Sequence, residues 1–316
     1  MILALTNSKD ATADYLCDLL SKKGADFLRI NTDTISRSVR LRYAKDIELW
    51  QNGRLISPKD ISAVWLRRPE PIVCGPASSP ESDHCSEEWA EALEGFLAPI
   101  PFERWVNHPT ANAQAGHKID QLARARQLGL SVPRTIVTQD ADELRAFYKQ
   151  CRRRIIAKPL SSGYIERLSA RSDTLIYTNR VDRSQLARRQ LLGRCPTLFQ
   201  EEIVKSTDVR VCIIDGNFYS VALAATDEHG IQRVDVRRNN MKDVDYKVLT
   251  LPAKIRRLTK ILVESYRLRF AAVDYVVDMN GNWFFLEINP NGQWAWLDLE
   301  AGTSIGKGLI SAFCHG

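Results

Sequence analysis

Short apolar runs and one amphipathic segment alternate in the first hundred residues, which predicts a small α/β domain. Asp10–Lys23 is predicted to be a helix, because leucines recur at helical spacing and Gly24 follows as a stop. The Asn52-Gly53 pair predicts a hairpin turn. Residues 74–86 are polar and rich in turn formers, so an exposed loop is expected there. The pattern predicts strands at Ile2–Leu5, Phe27–Ile30, Val39–Tyr43, Ile47–Trp50 and Ala63–Arg67.

The remainder of the chain mixes helices and strands, and strands dominate after Thr197. Pro109–Leu128 is predicted to be one long helix that Gly129 ends. Further helices are predicted at Ala141–Gln150, Arg183–Leu192 and Ala253–Tyr266. Strands are predicted at Thr135–Val137, Arg154–Lys158, Leu175–Tyr177, Leu198–Val204, Val209–Ile214, Phe218–Ala224 and Gln232–Arg237. This alternation over 316 residues favours more than one mixed α and β domain.

Composition narrows the class of protein without identifying it. The chain is 44% hydrophobic and 26% charged with a net charge of +6, which is typical of a soluble folded protein and excludes collagen, disulfide-rich and disordered chains. We expect no membrane span and no signal peptide, because no apolar run is long enough and the N-terminus lacks a basic region. Seven scattered cysteines without Cys-x-x-Cys predict reduced thiols in the cytoplasm. A charge of +6 permits anionic partners without demanding nucleic acid.

The segment Phe270–Trp294 carries the clearest chemical signal. If Asn280-Gly281 forms a two-residue hairpin turn, Asp274 lies opposite Glu287, and Asn289 points to the same face. Carboxylates at such a pair of positions repel each other unless a cation lies between them. Two carboxylates and an amide oxygen suit Mg²⁺ and leave positions for phosphate oxygens. The other face would be a core face with Val273, Val277, Phe284, Leu286 and Ile288.

A solvated acidic edge is the alternative interpretation of this hairpin. The Asn-Pro-Asn-Gly sequence at 289–292 favours the metal site, because it shapes a turn that a plain edge does not need. The usual phosphate-binding loop, G-x-x-x-x-G-K-[ST], is absent, and Gly302–Lys307 is one residue short of it, so we interpret that segment as the start of a helix.

Several basic residues could bind phosphate instead. Lys158 ends a predicted strand before Pro-Leu-Ser-Ser-Gly, and such a small-residue loop can offer backbone N–H groups to an anion. Lys118 lies in the long predicted helix and would by itself be taken for a surface lysine. Arg210 and Arg237 each occur in an Asp-x-Arg sequence on a predicted strand, which favours an anion site near the hairpin.

The order of these features resembles the ATP-grasp superfamily over residues 107–316. The resemblance implies an N-terminal pre-ATP-grasp α/β domain at 1–106, then a two-subdomain ATP-grasp fold of the α+β type at 107–196 and 197–316. It also implies that ATP lies between these two subdomains. The implied magnesium ligands are Asp274, Glu287 and Asn289. The implied nucleotide-binding residues are Lys118, Lys158, Ser161, Ser162, Gly163, Gln200, Glu201, Glu202, Ile203 and Asp208.

Within that superfamily, the chain is similar to the microviridin-type peptide maturases, or graspetide synthetases. The segments that carry this resemblance are WLRRP at 65–69, HKIDQLARARQLGLSVPRTIVT at 117–138, KPLSSG at 158–163, FQEEIVKSTDVRV at 199–211 and LEINPNGQW at 286–294. Glu202 departs from the pattern, since an aromatic or aliphatic hinge residue is expected there.

The resemblance implies ATP-dependent ligation on a ribosomal precursor peptide, which has a leader and a core part. An Asp or Glu side chain is activated as an acyl phosphate, and a Ser, Thr or Lys side chain then forms an ester or amide. Arg210, Arg237 and Lys158 would act in catalysis. Arg67, Arg68, Arg188 and Arg189 would bind substrate, the last two within a basic stretch at 183–194. A homodimer is also implied.

Two other functions share part of these features. A ligase of the glutamate-ligase kind, which adds amino acids to a carboxylate, would use the same nucleotide residues. A nucleic-acid-binding protein is suggested by Arg152-Arg153-Arg154 and Arg188-Arg189, but it would not need the carboxylate hairpin. A nucleotide-binding protein without activity is disfavoured by the complete metal set.

Overall fold

The computed structural model groups the secondary structure into three regions that follow one another along the chain. It describes residues 1–75, 79–161, 163–165, 174–187, 193–227, 229–237, 241 and 243–314. Ser162, Arg188 and Arg189 lie outside the described residues, as does most of the second half of the predicted 183–192 helix. Within the described part, no helix combines the length and apolar character needed to cross a bilayer.

The N-terminal region is the predicted α/β domain. Its main sheet is wholly parallel in the order β2-β1-β6-β7, and β3, β4 and β5 form a separate antiparallel sheet. Asp10 caps the first helix by accepting hydrogen bonds from two backbone amides. The elements are β1 (Ile2–Thr6), α1 (Ala11–Lys22), β2 (Phe27–Asn31), α2 (Ile35–Ser38), β3 (Val39–Tyr43), β4 (Ile47–Gln51), β5 (Arg54–Ile56), β6 (Ala63–Leu66), α3 (Pro80–Leu97) and β7 (Trp105–Val106), with 3₁₀ turns at Thr32–Thr34, Pro58–Asp60 and Phe102–Arg104.

The exposed loop predicted at 74–86 is wrong in its second half. α3 begins at Pro80, and the Ser79 hydroxyl caps it by accepting a hydrogen bond from the backbone N–H of Ser82. Ser and Pro favour the first positions of a helix, and acidic residues in the first turn suit the helix dipole. The polar composition therefore marks a helix start, and Cys74 and Ser82 are both buried.

The central region contains a four-stranded antiparallel sheet in the order β12-β9-β13-β8 and a separate two-stranded ribbon. β13 pairs with β8 and β9, so this sheet includes a strand beyond the boundary at 196 that the sequence suggested. The elements are α4 (Pro109–Ala115), α5 (Lys118–Gln127), β8 (Thr135–Thr138), α6 (Ala141–Gln150), β9 (Ile155–Lys158), β10 (Tyr164–Ile165), β11 (Thr174–Leu175), β12 (Asn179–Arg180), α7 (Arg183–Leu186) and β13 (Thr197–Glu201).

The long helix predicted over Pro109–Leu128 is two helices. The helix is interrupted at Gly116 and His117, and His117 has an extended backbone immediately before the first turn of α5. Glycine costs helix stability, so a break there is inexpensive. As a result, Lys118 is the first residue of a helix rather than a residue in the middle of one.

The C-terminal region is built on a five-stranded antiparallel sheet in the order β16-β15-β14-β17-β18. Its elements are β14 (Lys205–Ile214), β15 (Asn217–Ala224), β16 (Asp245–Val248), α8 (Ala253–Glu264), β17 (Phe270–Asp278), β18 (Trp283–Asn289), α9 (Ala295–Ala301) and α10 (Ile305–Cys314). The predicted start of a helix near residue 305 is confirmed, and the Ile305 and Gly306 amides that open α10 donate to the Asp298 carboxylate rather than facing a phosphate.

The strand predicted at Gln232–Arg237 is wrong. Only one isolated bridge, between Thr226 and Gln232, forms there. The Asp235 carboxylate instead accepts hydrogen bonds from the backbone N–H groups of Thr178 and Arg237. Such side-chain bonds to the backbone compete with a strand ladder.

One hydrophobic core joins the N-terminal and C-terminal regions. Leu16 and Leu20 of α1 and Trp65 of β6 are buried in the same cluster as Phe270 of β17 and Leu309 of α10. A second core lies between the C-terminal sheet, α5 and α8. β14 and β17, two of the strands that carry the candidate site, are therefore packed on both sides.

Candidate active site

An open cleft of about 1140 Å³ lies between the central sheet and the C-terminal sheet. Residues 68–70 of the N-terminal region form part of its rim. The cleft is larger than a typical small-molecule pocket of about 300–1,000 Å³, so it has room for a nucleotide and part of a second substrate. The predicted site residues that line it are Arg68, Lys118, Lys158, Ser161, Gln200, Glu201, Glu202, Ile203, Asp208, Arg210, Arg237, Asp274, Glu287 and Asn289.

Asp274 and Glu287 lie opposite each other on β17 and β18, as the sequence predicts. The turn between these strands differs from the prediction. The backbone N–H of Asp278 donates to the carbonyl of Asn282 at 2.9 Å, so the loop contains three residues and not two. A loop one residue longer would by itself shift the register and turn Glu287 towards the core.

A bulge in β18 restores the predicted pairing. Tyr275 pairs with Phe285, whereas the preceding Asp274 pairs with Glu287, so Leu286 is the extra residue. Leu286 lines the cleft and Phe285 is buried in the core, which corrects the assignment of Leu286 to the core face. The turn has one residue more than predicted and β18 has one residue more than a regular strand, so the two differences cancel and the predicted pairing of Asp274 with Glu287 is correct.

The two carboxylates have different electrostatic surroundings. Arg210 Nε lies 2.8 Å from Asp274 Oδ1, and Lys118 Nζ lies 3.3 Å from Glu287 Oε2. Burial raises the pKa of Asp274 to about 6; Arg210 opposes this shift, and the Glu287 charge adds to it. Burial would also raise the pKa of Glu287, but the ammonium groups of Lys118 and Lys158 outweigh it and lower that pKa.

These residues fit a hard divalent cation. Asn289 follows Glu287 by two residues, and its Oδ1 accepts a hydrogen bond from the backbone N–H of Asn291 at 3.0 Å, which orients the amide. No group of three His, Cys, Asp or Glu side chains that could hold a metal occurs in the described ranges. Two carboxylates and one amide oxygen leave coordination positions for phosphate oxygens and water. A cation would also offset the costly charge of Asp274.

Asp274→Asn is expected to stabilise the ligand-free protein, and the gain should depend on pH. The folded-state pKa of about 6 lies above the value of about 3.9 for an unfolded Asp, so ionisation costs the folded state free energy. This cost is absent below about pH 4 and complete above about pH 7. Urea unfolding should show a gain of roughly 1–3 kcal/mol at high pH and none at about pH 4. An equal gain at both pH values would contradict the assignment.

Lys118 and Lys158 reach the cleft from different elements. Lys118 Nζ lies 2.8 Å from the carbonyl oxygen of Pro159 and 3.3 Å from that of Ser161. Lys158 ends β9, and its Nζ donates to Gln200 Oε1 at 3.1 Å. Burial lowers the pKa of Lys158, because the ammonium group loses its hydration. A bound phosphate would stabilise the charged ammonium group in place of water.

Gly163 shapes the loop that follows Lys158. Its φ of +73° favours glycine, and a Cβ at this position would lie 2.7 Å from Pro159 Cγ and 3.0 Å from the Ile176 carbonyl. Gly163 itself does not line the cleft, so the structure gives it a role in loop geometry.

The strand predicted at Leu198–Val204 ends earlier than expected, at Glu201. Gln200 is buried, and its Nε2 donates to Thr135 Oγ1 at 3.0 Å while its Oε1 holds Lys158. Its side chain thus positions a lysine. Ile203 follows the strand and lines the cleft with an apolar side chain.

Glu201 and Glu202 are both engaged in ion pairs. Glu201 accepts two hydrogen bonds of 2.9 Å from Arg134. Glu202 lies 2.8 Å from Arg180 of β12 and 3.8 Å from Arg154, so the unexpected carboxylate is neutralised at the edge of the cleft.

Asp208 has a partner that the sequence analysis missed. Lys205 Nζ lies 2.6 Å from Asp208 Oδ2 and also donates to the Val234 carbonyl. Burial raises the pKa of Asp208, although Lys205 opposes this shift. Residues three apart on a regular strand point to opposite faces, but an irregularity between Lys205 and Thr207 brings these side chains together. No sequence signal marks that irregularity.

Arg210 and Arg237 both line the cleft but are held differently. Arg210 lies on β14 in register with Asp274 of β17. Arg237 lies in a turn, where its Nε and Nη2 donate to Asp235 at 2.9 and 2.6 Å. The Asp235 hydrogen bonds raise the pKa of Arg237, and its guanidinium lies 5.8 Å from the ring centre of Tyr177.

The adjacent Arg67 and Arg68 have opposite environments. Arg67 is only 2% exposed, its Nε lies 3.1 Å from Asp10 Oδ2, and its Nη1 donates to the carbonyl of Asn291. The substrate contact expected of Arg67 has no support in this buried position. Arg68 is exposed at the rim of the cleft, where its φ of +46° departs from strand geometry.

Two buried amide side chains hold the end of β18, and no sequence pattern marks either of them as a site residue. Gln121 of α5 accepts from the Ile288 N–H at 2.7 Å and donates to the Ile288 carbonyl at 2.8 Å. Asn107 donates to the carbonyls of Phe270 and Pro290 at 2.8 and 3.0 Å. These bonds position the strand that carries Glu287.

Comparisons with known proteins agree with this arrangement. Residues 1–113 match the family model of the MvdD pre-ATP grasp domain. A comparison with curated proteins gave no match.

Three solved structures share the fold across nearly the whole chain. Macrocyclase MdnB from Microcystis aeruginosa MRC is 27% identical with a TM-score of 0.80, covering 100% of this chain and 99% of its own. Macrocyclase MdnC from the same organism, bound with the precursor peptide MdnA, is 23% identical with a TM-score of 0.87 and the same coverage. The ATP-grasp ligase PsnB, complexed with minimal precursor, Mg and ADP, is 20% identical with a TM-score of 0.73, covering 99% of this chain and 96% of its own. The predicted ATP-grasp fold is thus confirmed.

Proposed function

We infer that the chain is an ATP-grasp ligase that cross-links side chains of a ribosomally made precursor peptide. The observation that carries this inference is the paired Asp274 and Glu287 facing Lys118 and Lys158 across one cleft. The matches to MdnB, MdnC and PsnB support the peptide as the substrate class, since their structures are named as macrocyclases or as a ligase with a precursor.

We assign the nucleotide to the part of the cleft between β9, β13 and β14. Lys118 and Lys158 would hold phosphate oxygens, and the Ser161 loop would offer backbone amides. Ile203 would contact the base and Asp208 the ribose. Glu201 and Glu202 would contribute backbone groups, since ion pairs occupy their side chains.

We assign Mg²⁺ to Asp274, Glu287 and Asn289, whose oxygen atoms would hold it. A bound Mg²⁺ would offset the negative charge of the phosphate oxygens and hold them in one orientation. Arg210, which pairs with Asp274 here, would then be available to a second anion, the substrate carboxylate.

Arg210, Arg237 and Arg68 are placed to receive that carboxylate and hold it for in-line attack. A carboxylate oxygen forms a bond to the γ-phosphorus as ADP leaves. A hydroxyl or amine of the same peptide then attacks the acyl carbon, gives up its proton and displaces inorganic phosphate. The balance is one ATP consumed and one water lost from the peptide per ring. These residues act by charge and alignment, and no protein nucleophile is needed.

The remaining assignments rest on the resemblance. Arg183 and Arg194 are exposed ends of the basic stretch that we propose as the leader contact, and Arg188 and Arg189 between them lie outside the described residues. We propose a cytoplasmic location, supported by seven free cysteines and a need for ATP. A homodimer stays a prediction, for light scattering to test.

The function is tested by incubating the purified protein with candidate precursor peptides, ATP and Mg²⁺. Mass spectrometry should show losses of one or more whole waters from the peptide, only when ATP is present. Ester rings would reopen in mild base, whereas amide rings would not. A peptide that gains the mass of a free amino acid would instead identify a glutamate-ligase type. ATP-independent affinity for RNA, with no peptide product, would overturn the proposal.

A further inference from the structure

The last residue of β18, Asn289, is a proposed metal ligand, and the loop that follows it belongs to no helix or strand. Asn289 ends β18, and the backbone N–H of Asn291 donates to its Oδ1 at 3.0 Å. The orientation of the Asn289 amide therefore depends on where the backbone of Asn291 lies.

The backbone of Asn291 is held by the N-terminal domain. Arg67 Nη1 donates to the Asn291 carbonyl, and Arg67 Nε lies 3.1 Å from Asp10 Oδ2. Asp10 in turn caps α1, where its Oδ1 accepts from the amides of Thr12 and Ala13 at 2.9 and 3.2 Å. A continuous chain of polar contacts thus runs from the start of α1 to the candidate metal ligand.

This contact is costly to bury, which argues against a role in stability alone. Burial lowers the pKa of Arg67 to about 10, and among the described residues neither its Nε nor its Nη2 makes a hydrogen bond, so the Nε contact with Asp10 is an ion pair only. Buried ion pairs often contribute no more stability than apolar side chains of similar volume. What the planar guanidinium provides is a fixed geometry between two groups, the Asp10 carboxylate and the Asn291 carbonyl.

We propose that Arg67 is a positioning residue for the metal site, and that with Asp10 it fixes the Asn291 backbone and thereby the Asn289 amide towards Mg²⁺. This rests on the proposed function. Arg68, the next residue, lies at the rim of the cleft. The two residues that follow β6 therefore have different roles: Arg68 would contact substrate, and Arg67 holds the 289–292 loop.

The test measures how Mg²⁺ changes ADP affinity, by calorimetric titration with and without the metal. In Arg67→Lys, the ammonium group cannot contact Asp10 and Asn291 together. We expect the gain in ADP affinity that Mg²⁺ gives to fall about tenfold, as for other groups that orient metal ligands. Affinity without Mg²⁺ should be unchanged, which general damage to the fold would not leave intact.

Arg29→Lys is the matched control. Arg29 of β2 pairs with Asp14 of α1, the helix that Asp10 caps. Among the described residues it contacts no residue of the 289–292 loop, so this variant should retain the full Mg²⁺ effect. Asp10→Asn is a second test if Arg67→Lys does not fold, since Asn is an equally good helix cap but lacks the charge.

An unchanged Mg²⁺ effect in both Arg67→Lys and Asp10→Asn would overturn the proposal, as would an equal loss of ADP affinity with and without the metal. If the parent protein, without any substitution, bound no ADP at all, the proposed function itself would be refuted. The two failures are therefore distinguishable.

Discussion

Glu287→Gln should reduce ATP-dependent peptide modification by about 10²–10³-fold, because a metal ligand that stabilises transition-state charge is worth several kcal/mol. Its amide has nearly the same shape as the carboxylate but cannot hold a cation as strongly. The lowered pKa of Glu287 shows that its charge is favourable in the folded state, through Lys118 and Lys158. We therefore expect a small loss of stability, opposite in sign to the gain expected for Asp274→Asn. Initial rates of peptide mass loss and urea unfolding measure the two effects.

Glu264→Gln is the matched control for this change. Glu264 ends α8 and, among the described residues, pairs with the exposed Lys260 one turn earlier, so its loss should leave the rate unaltered. The metal assignment is wrong if folded Glu287→Gln modifies peptide at the parent rate with saturating Mg²⁺.

Lys158→Met should lower ADP and ATP affinity by about 10–100-fold, because a hydrogen bond to a charged group contributes roughly 1.5–3 kcal/mol. Methionine keeps the length and apolar stem of lysine in this buried position, so the variant should fold. Gln200 Oε1 loses its partner, which costs some stability but leaves the cleft intact. Calorimetric titration with ADP measures the affinity without any peptide present.

Arg68→Ala is the counterpart that separates nucleotide from substrate binding. Arg68 is exposed and makes no side-chain ion pair with the described residues, so ADP affinity should be nearly unchanged. Peptide modification should fall, chiefly through a higher KM. If both variants lost ADP affinity equally, the division between nucleotide lysines and substrate arginines would be refuted.

The most specific sequence prediction, the Asp274–Glu287 pair, succeeded although its geometric premise was wrong. The asparagine and glycine at 280–281 suggested a two-residue turn, yet the loop holds three residues and Leu286 bulges from β18. Burial of one face of the hairpin, with Phe285 and Ile288 in the core, set the register more strongly than the turn residues did. A local turn rule cannot report a compensating bulge five residues away.

Other errors came from contacts between residues distant in the chain. The resemblance assigned Arg67 to substrate binding, but a motif cannot show that Asp10 and the 289–292 loop enclose this side chain. The turn at Arg237 likewise reflects a tertiary hydrogen bond, from the backbone N–H of Thr178 to Asp235, rather than local propensity.

The sequence by itself determined the α/β start of the chain, most strands and helices, the residue types at the site and, through resemblance, the ATP-grasp fold. These follow from periodicity, capping residues and motif order, which are local along the chain. Only the tertiary structure decided which charges meet: Arg210 with Asp274, Lys118 with Glu287 and Arg67 with Asp10. The physical reason is that bulges, turns and domain packing set side-chain direction over distances of tens to hundreds of residues, where periodicity carries no information.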